Sequence, residues 1–471
     1  MSLIKAASKL FAANVAGSVL GFLGIALFAR QIGATQLGIY FLFQAVVGIC
    51  AIGADFGISS ALKKRISEGE NQGKYLLSAV LLKFAFICIV SVLILLSRGY
   101  LSEYIGTDVA YLLILTLFVQ QYASIYISTL HGEIRVGETA HIEVIQQVIW
   151  IVSGLLLTYF NPTATALIQA HILGLTGKLA IGWYLKDTTV SIPDIEQIQS
   201  VFDYSKYSVI SSVGGYLYSW LDVLIIGFFL TSDYVAAYEV AWRITAFIVL
   251  LSKSVSLTIF PQVSEWSVEA ATDEITEVIK DATTVSLVIS IPAFFGAAIL
   301  SAEILLFLFG EEYTIAAAAL VILMFEKIFQ SVHKVWGYSL QAIDRPDQAA
   351  VATVVSIIVN VLLNLLLVPM YGLEGAATAT AASFLLNTAL HAYYLQQSIS
   401  IRVDTDKIVW CVVSSVIMSG VVYTLSRSVD TGSLLILLLL VFIGVVVYFA
   451  FLPVYPPIRS DIRSILADLR V

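Results

Sequence analysis

The sequence predicts an all-α polytopic membrane protein of about fourteen transmembrane helices. Three observations carry that prediction. Of 471 residues, 59% are hydrophobic and only 12% are charged, about half the charged share of soluble domains. A soluble fold could not hide so much apolar surface without leaving large exposed patches. The apolar runs are long, rich in Leu, Val, Ile and Ala, and show no period-two alternation, which favours helices over a transmembrane barrel.

A hydrocarbon layer about 30 Å thick needs about 20 apolar residues per crossing. On that rule the spans fall near 9–29, 37–60, 75–97, 108–131, 141–160, 164–186, 206–230, 234–258, 283–309, 314–341, 348–370, 374–397, 407–427 and 431–453. The first run lacks an A-x-A cleavage site and continues to Arg30, so it reads as a span and not a removable leader. Several connections are short enough for tight helical hairpins: Asn161 to Thr163, Thr231 to Asp233 and Tyr371 to Leu373. Cys50, Cys88 and Cys411 lie inside apolar runs and read as small packing residues, with no disulfide framework or metal spacing.

Orientation follows the Lys and Arg bias of the loops. One side carries Lys5, Lys63, Lys64, Arg65, Lys74, Arg135, Lys280, Arg345, Arg402, Lys407, Arg459, Arg463 and Arg470, whereas the other has little beyond Arg30, Arg98 and Arg427. The basic side is expected to be cytoplasmic, with both termini inside an inner or plasma membrane. The longer soluble stretches, 187–205, 259–282 and the tail from Pro453, fall on that same side. The net charge of −8 argues against a nucleic-acid partner.

Residues 187–205 read as a linker between two lobes, 1–186 and 206–397, with 398–471 holding two extra helices and a tail. Residues 29–40 and 227–238 share a faint pattern: a span, a short turn, then a span that starts near a Tyr. Six spans per lobe preserve orientation, so the repeat is expected to be parallel, about an axis along the membrane normal.

Four segments carry a family resemblance. They are Phe28 to Tyr40 (FARQIGATQLGIY), Gly53 to Leu62 (GADFGISSAL) before Lys63-Lys64-Arg65, Asp222 together with Ile259 to Ser264 (IFPQVS), and Asn364 to Ala377 (NLLLVPMYGLEGAA). In order and spacing they resemble the polysaccharide-transporter branch of the multidrug/oligosaccharidyl-lipid/polysaccharide exporter superfamily. The first is similar to the family's A-R-x-L-G-x-x-x-F-G-x-Y turn, with Ile32 in place of Leu. The last looks like its N-x-L-L-I-P-x-Y-G-x-x-G-A-A hairpin. The resemblance implies a flippase that moves a lipid-linked oligosaccharide or sugar from the inner to the outer leaflet. It also implies a V-shaped pair of lobes working by alternating access. The partners expected are that substrate, membrane lipids and glycan-assembly enzymes, with a monomeric protein and no cofactor.

A flippase must shelter a charged phosphate and polar sugars, and charges inside a membrane are costly enough to be functional candidates. Asp222, Glu239 and Arg243 are expected at similar depth near the outer side of spans seven and eight. They form either a structural pair between helices or a polar gate near substrate. Lys83, Lys178 and Lys253 are expected in the inner half, and Lys327 near mid-depth beside Glu326. The lysines either contact phosphate as point charges or snorkel to the headgroups. Arg30 stands at the outer mouth, as an interface anchor or headgroup contact. Glu303 and Glu326 are candidates for a coupling proton or cation. Asp55 is expected to cap its helix or pair with Lys63 or Lys64. The five histidines are scattered without metal spacing and read as packing residues. Gly17, Gly21 and Gly24 suggest close helix packing in span one. Tyr216 and Tyr218 can stack on sugar rings.

Two rival classes remain. An ion-coupled multidrug or metabolite exporter needs carboxylates within a lobe, yet the interiors of spans one, three, four and six hold no Asp or Glu. A membrane glycosyltransferase or polymerase needs a sizeable outer loop, and the longest expected here runs only from Arg98 to Thr107. Gly174 to Leu179 lacks the glycine spacing and final Ser or Thr of a phosphate loop, which argues against an ATP-driven pump.

Overall fold

A computed structural model describes residues 3–429 and 432–468; the side chains of 3–14, 210–219, 462 and 464–468 lie outside the description. Tyr216, Tyr218, Lys5 and Arg470 therefore fall outside the described side chains. Among the described residues the chain is all helix, without a strand. The helices are α1 (Leu3–Asp55), α2 (Ile58–Ser67), α3 (Gln72–Leu96), α4 (Arg98–Ile105), α5 (Ala110–Gly132), α6 (Val136–Phe160), α7 (Ala164–Leu185), α8 (Ile195–Phe229), α9 (Ser232–Ala246), α10 (Val249–Val268), α11 (Thr272–Leu308), α12 (Ala317–Ala342), α13 (Pro346–Gln396), α14 (Thr405–Ser428), α15 (Leu434–Phe451) and α16 (Pro456–Asp468).

Ten described helices are long and apolar enough to cross a membrane. The number is eleven if α9 and α10, bent by 44° at a short break, form one span. Many of their large apolar side chains face outward, including Leu96, Phe160 and Leu435, which are 78%, 77% and 76% exposed. Hydrocarbon is the solvent in which such faces are stable.

Two of these helices are interrupted at glycine. Helix α1 breaks at Gly33 (φ 77°) and α13 at Gly372 (φ 58°), a backbone region that side chains disfavour. After Gly372 the chain doubles back, because a Cβ on Gly375 would stand 2.2 Å from the Leu367 carbonyl oxygen. The first break has a similar partner. A Cβ on Gly38 would lie 1.7 Å from the carbonyl oxygen of Ser232, so the α8–α9 turn sits directly on bare backbone. Both glycine pairs belong to the sequence segments singled out above.

The chain divides into two compact units, residues 1–236 and 237–471. In the first, α1 ends at a left-handed pair, Phe56 and Gly57. The Phe56 ring stacks on Phe86 at 4.8 Å. Helix α2 then buries Ile58, Ala61, Leu62 and Ile66 against Leu76, Ala79, Ile125 and Val201, while Lys63, Lys64 and Arg65 stay on its polar side. The segment between α7 and α8 is pinned down. The Glu133 carboxylate accepts from the Thr188 amide at 2.8 Å and its hydroxyl at 2.7 Å. Arg135 bridges Glu138 and Asp187 at 2.7 and 2.8 Å, and Lys74 reaches Asp194 at 2.6 Å. In the α4–α5 turn, Arg98 donates to Asp108. That hydrogen bond holds the exposed Asp108 carboxyl below its usual range, so the contact persists at neutral pH and is lost as pH falls through the lowered value.

Two of the soluble stretches turn out to be helical extensions, one in each unit. Only residues 269–271 separate α10 from α11. The reason is apolar: Val263, Ile275, Ile279 and Ala282 bury against Val335, Leu340 and Leu395. Helix α8 likewise starts at Ile195, behind a capping box made by Asp194 and Gln197. A further core joins Leu287 and Ile291 of α11 to Met418 and Val422 of α14 and Leu437, Leu440 and Tyr448 of α15. In α1, Gly24 packs tightly, with Ile151 and Trp150 at 2.9 and 3.0 Å from a Cβ, whereas Gly17 faces open space.

These contacts predict a sharp contrast between glycines. Gly38→Val should cost more than about 3 kcal/mol, the upper end of ordinary overpacking, and should abolish the monodisperse peak in detergent chromatography. Gly17→Ala should leave that peak unchanged.

Candidate functional site

Hydrocarbon makes an unpaired charge expensive, so each charge in the spans needs either a partner or a purpose. The described charges separate on that criterion.

In the first unit, Lys83 of α3 is fully buried. Its Nζ lies 2.7 Å from Asp55 Oδ1, 2.9 Å from Ser59 Oγ, 2.9 Å from Gln121 Oε1 and 2.5 Å from Ser124 Oγ. An ammonium has three protons, and this oxygen cage engages all of them. Asp55 thus pairs with Lys83; the expected partners, Lys63 and Lys64, lie on α2, where Lys64 instead meets Glu68 at 3.0 Å. Lys178 of α7 is matched by Glu143 of α6 at 2.5 Å. Glu143 was not among the candidates, because the partnership joins two helices that sequence spacing cannot align. Nearby, the Gln44 amide approaches the His171 ring at 3.4 Å. Arg30 is exposed beside the break at Gly33, and Asp222 is half-buried on α8.

The second unit holds the remaining candidates. Glu239 and Arg243 form an ion pair of 2.8 Å one turn apart on α9, with Glu239 buried. Glu326 and Lys327 form another at 2.7 Å, both fully buried. The Lys327 ammonium also lies 5.7 Å from the Trp242 ring centroid, within cation–π range. Glu303 is half-buried on α11. Lys253 of α10 is exposed. His333 and His391 meet edge to face at 4.5 Å between α12 and α13, and His391 Nδ1 lies 2.8 Å from the Asn387 carbonyl, a helix-packing arrangement. Asn360 of α13 donates to Ser383 at 3.2 Å and Tyr238 approaches Thr380 at 3.4 Å, giving this unit a polar seam.

Like Glu143, Lys334 escaped sequence reasoning. Lys334 lies seven residues beyond Lys327 on α12, close to two full turns and so on the same face. That spacing was the available signal.

The comparisons with known proteins agree with a transporter. Residues 27–318 match the family described as polysaccharide biosynthesis protein. A Haloferax volcanii protein named as a probable low-salt glycan biosynthesis flippase, Agl15, is 46% identical over 98% of both chains. A second Haloferax volcanii protein, the probable flippase AglR, is 26% identical over 99% of both. Among solved structures, the lipid II flippase MurJ in an inward closed conformation aligns with a TM-score of 0.81 at 18% identity, covering 95% of this chain and 98% of its own. An inward-facing multidrug resistance MATE family transporter reaches 0.67 at 16% identity, covering 81% and 95%. At those identities the last two speak for the fold alone.

The cage around Lys83 predicts a large and compensable defect. Lys83→Met or Asp55→Asn alone strands a buried charge and should destabilise by about 3–5 kcal/mol, whereas the double variant should recover most of that loss. Thermal unfolding in detergent across the four proteins checks this.

Proposed function

Because the chain belongs to the polysaccharide biosynthesis protein family, we propose that it is a flippase, carrying a lipid-linked saccharide precursor from the cytoplasmic to the outer leaflet by alternating access. The observation that carries the reading is the end-to-end match, 46% identity over 98% of both chains, to a protein named as a glycan biosynthesis flippase. The physical task fits. A phosphorylated headgroup crossing hydrocarbon bare would face a barrier of tens of kcal/mol, and cations along its path without an acid partner lower it.

On this reading the protein is a transporter without enzymatic activity of its own. It resides in the cell membrane, with its basic loops and both termini cytoplasmic, and works as a monomer beside glycan-assembly enzymes. Fourteen crossings follow if α1 and α13 each count twice, α9 and α10 count as one and α8 adds another. The lobes are then 1–186 and 206–397, with 398–471 appended. Glu239 with Arg243 serves as a gate in the second unit, Asp222 as a polar contact in the first, Arg30 as a mouth contact, and Glu303, or Glu326 once released from Lys327, as the site for a coupling ion. The exporter alternative is less well supported. Within the first unit, where that reading looks for carboxylates able to trade a proton or sodium ion, Asp55 and Glu143 are engaged by Lys83 and Lys178.

Liposomes containing the purified protein, loaded on one face with a fluorescent polyprenyl-phosphate sugar, test the reading. Protein-dependent appearance of the sugar on the opposite face is expected. No such movement, combined with proton- or sodium-driven efflux of an organic cation, would favour the exporter. Lys64→Cys, accessible to a membrane-impermeant maleimide only from the cytoplasmic side, is the expected result for orientation.

A further inference from the structure

We propose that Lys253 of α10 and Lys334 of α12 form the anion-binding pair that holds the phosphate of the lipid-linked substrate, an inference that rests on the flippase reading. Helices α9, α10 and α12 carry four cations, Arg243, Lys253, Lys327 and Lys334. Arg243 has Glu239, and Lys327 has Glu326 and the Trp242 face. Neither Lys253 nor Lys334 has a hydrogen bond or ion pair among the described residues. The cations within electrostatic reach of Lys334 are Lys253 and Lys327, and the acid is Glu326, which Lys327 already occupies. Helices α10 and α12 pack against each other, so the two unmatched ammonium groups belong to one neighbourhood.

Two like charges left together in membrane-spanning helices repel each other and resist desolvation. A fold tolerates that arrangement when an anion completes it. The surplus of two positive charges suits a phosphate monoester or diphosphate, which accepts hydrogen bonds from several ammonium protons. Lys334 lies eight residues before the end of α12, about 12 Å from that terminus, at a depth a headgroup reaches while its chain stays in hydrocarbon. Lys253 is exposed and so accessible to it. The lysines sought as phosphate contacts in the first unit, Lys83 and Lys178, each have an acid already. The two in the second unit do not.

The probe is a short-chain polyprenyl monophosphate, with the uncharged polyprenol of the same length as reference, titrated onto the purified full-length protein. Lys253→Gln and Lys334→Gln should each lose about tenfold or more of the preference for phosphate over alcohol, the scale of one charged hydrogen bond, and Lys334→Arg should retain it. Lys334→Gln should also keep or raise the melting temperature, because it removes an uncompensated charge; a structural lysine would lower it. An unchanged preference in both Gln variants would overturn the assignment. So would equal occupancy by inorganic phosphate or by phosphatidylglycerol vesicles, which would mark a general anion or lipid-headgroup contact. The two levels separate cleanly. Transport that persists in both variants sinks the pair and leaves the flippase. Lysine-dependent binding by a wild-type protein that moves no sugar sinks the flippase and leaves the pair.

Discussion

The structure is organised by the penalty for charge away from water. Every span that carries a cation must answer it, and the chain does so in three ways. Lys83 is surrounded by Asp55, two hydroxyls and an amide. Lys178, Arg243 and Lys327 each take one carboxylate. Lys253 and Lys334 take none among the described residues. The first two solutions stabilise helix packing, and the third leaves chemistry unfinished. Helix α1 and helix α3 are held in register by the Lys83 cage, so a polar contact performs a task that apolar packing performs elsewhere.

Much of the architecture was legible in the amino-acid order. Membrane helices announce themselves by long apolar runs, and a backbone reversal within such a run needs glycine, so Gly33 and Gly372 were visible before any coordinates. The extramembrane stretches were harder. Residues 259–282 carry enough charge to read as loop, yet Ile275 and Ile279 sit one turn apart and bury together with Val263 of the preceding helix. Their pattern was overshadowed by composition.

Partnerships were the least legible level. Asp55 precedes Lys83 by twenty-eight positions and Glu143 precedes Lys178 by thirty-five, and no local rule links such pairs. The depth of each residue could be estimated from its span, but azimuth around the helix axis could not. Proximity in sequence suggested Lys63 and Lys64 for Asp55, and geometry chose the more deeply buried lysine. Lys334 was passed over although it follows Lys327 by seven positions on the same helix face.

The interrupted helices have a consequence for biosynthesis. A segment such as α13, with a sharp reversal after Pro369 and Gly372, presents almost no hydrophilic stretch between its two arms. The insertion machinery therefore cannot hand over the first arm, pause, and thread a loop through afterwards. Both arms must partition sideways into lipid as a preformed unit, and the ribosome has to emit some fifty residues before either is committed.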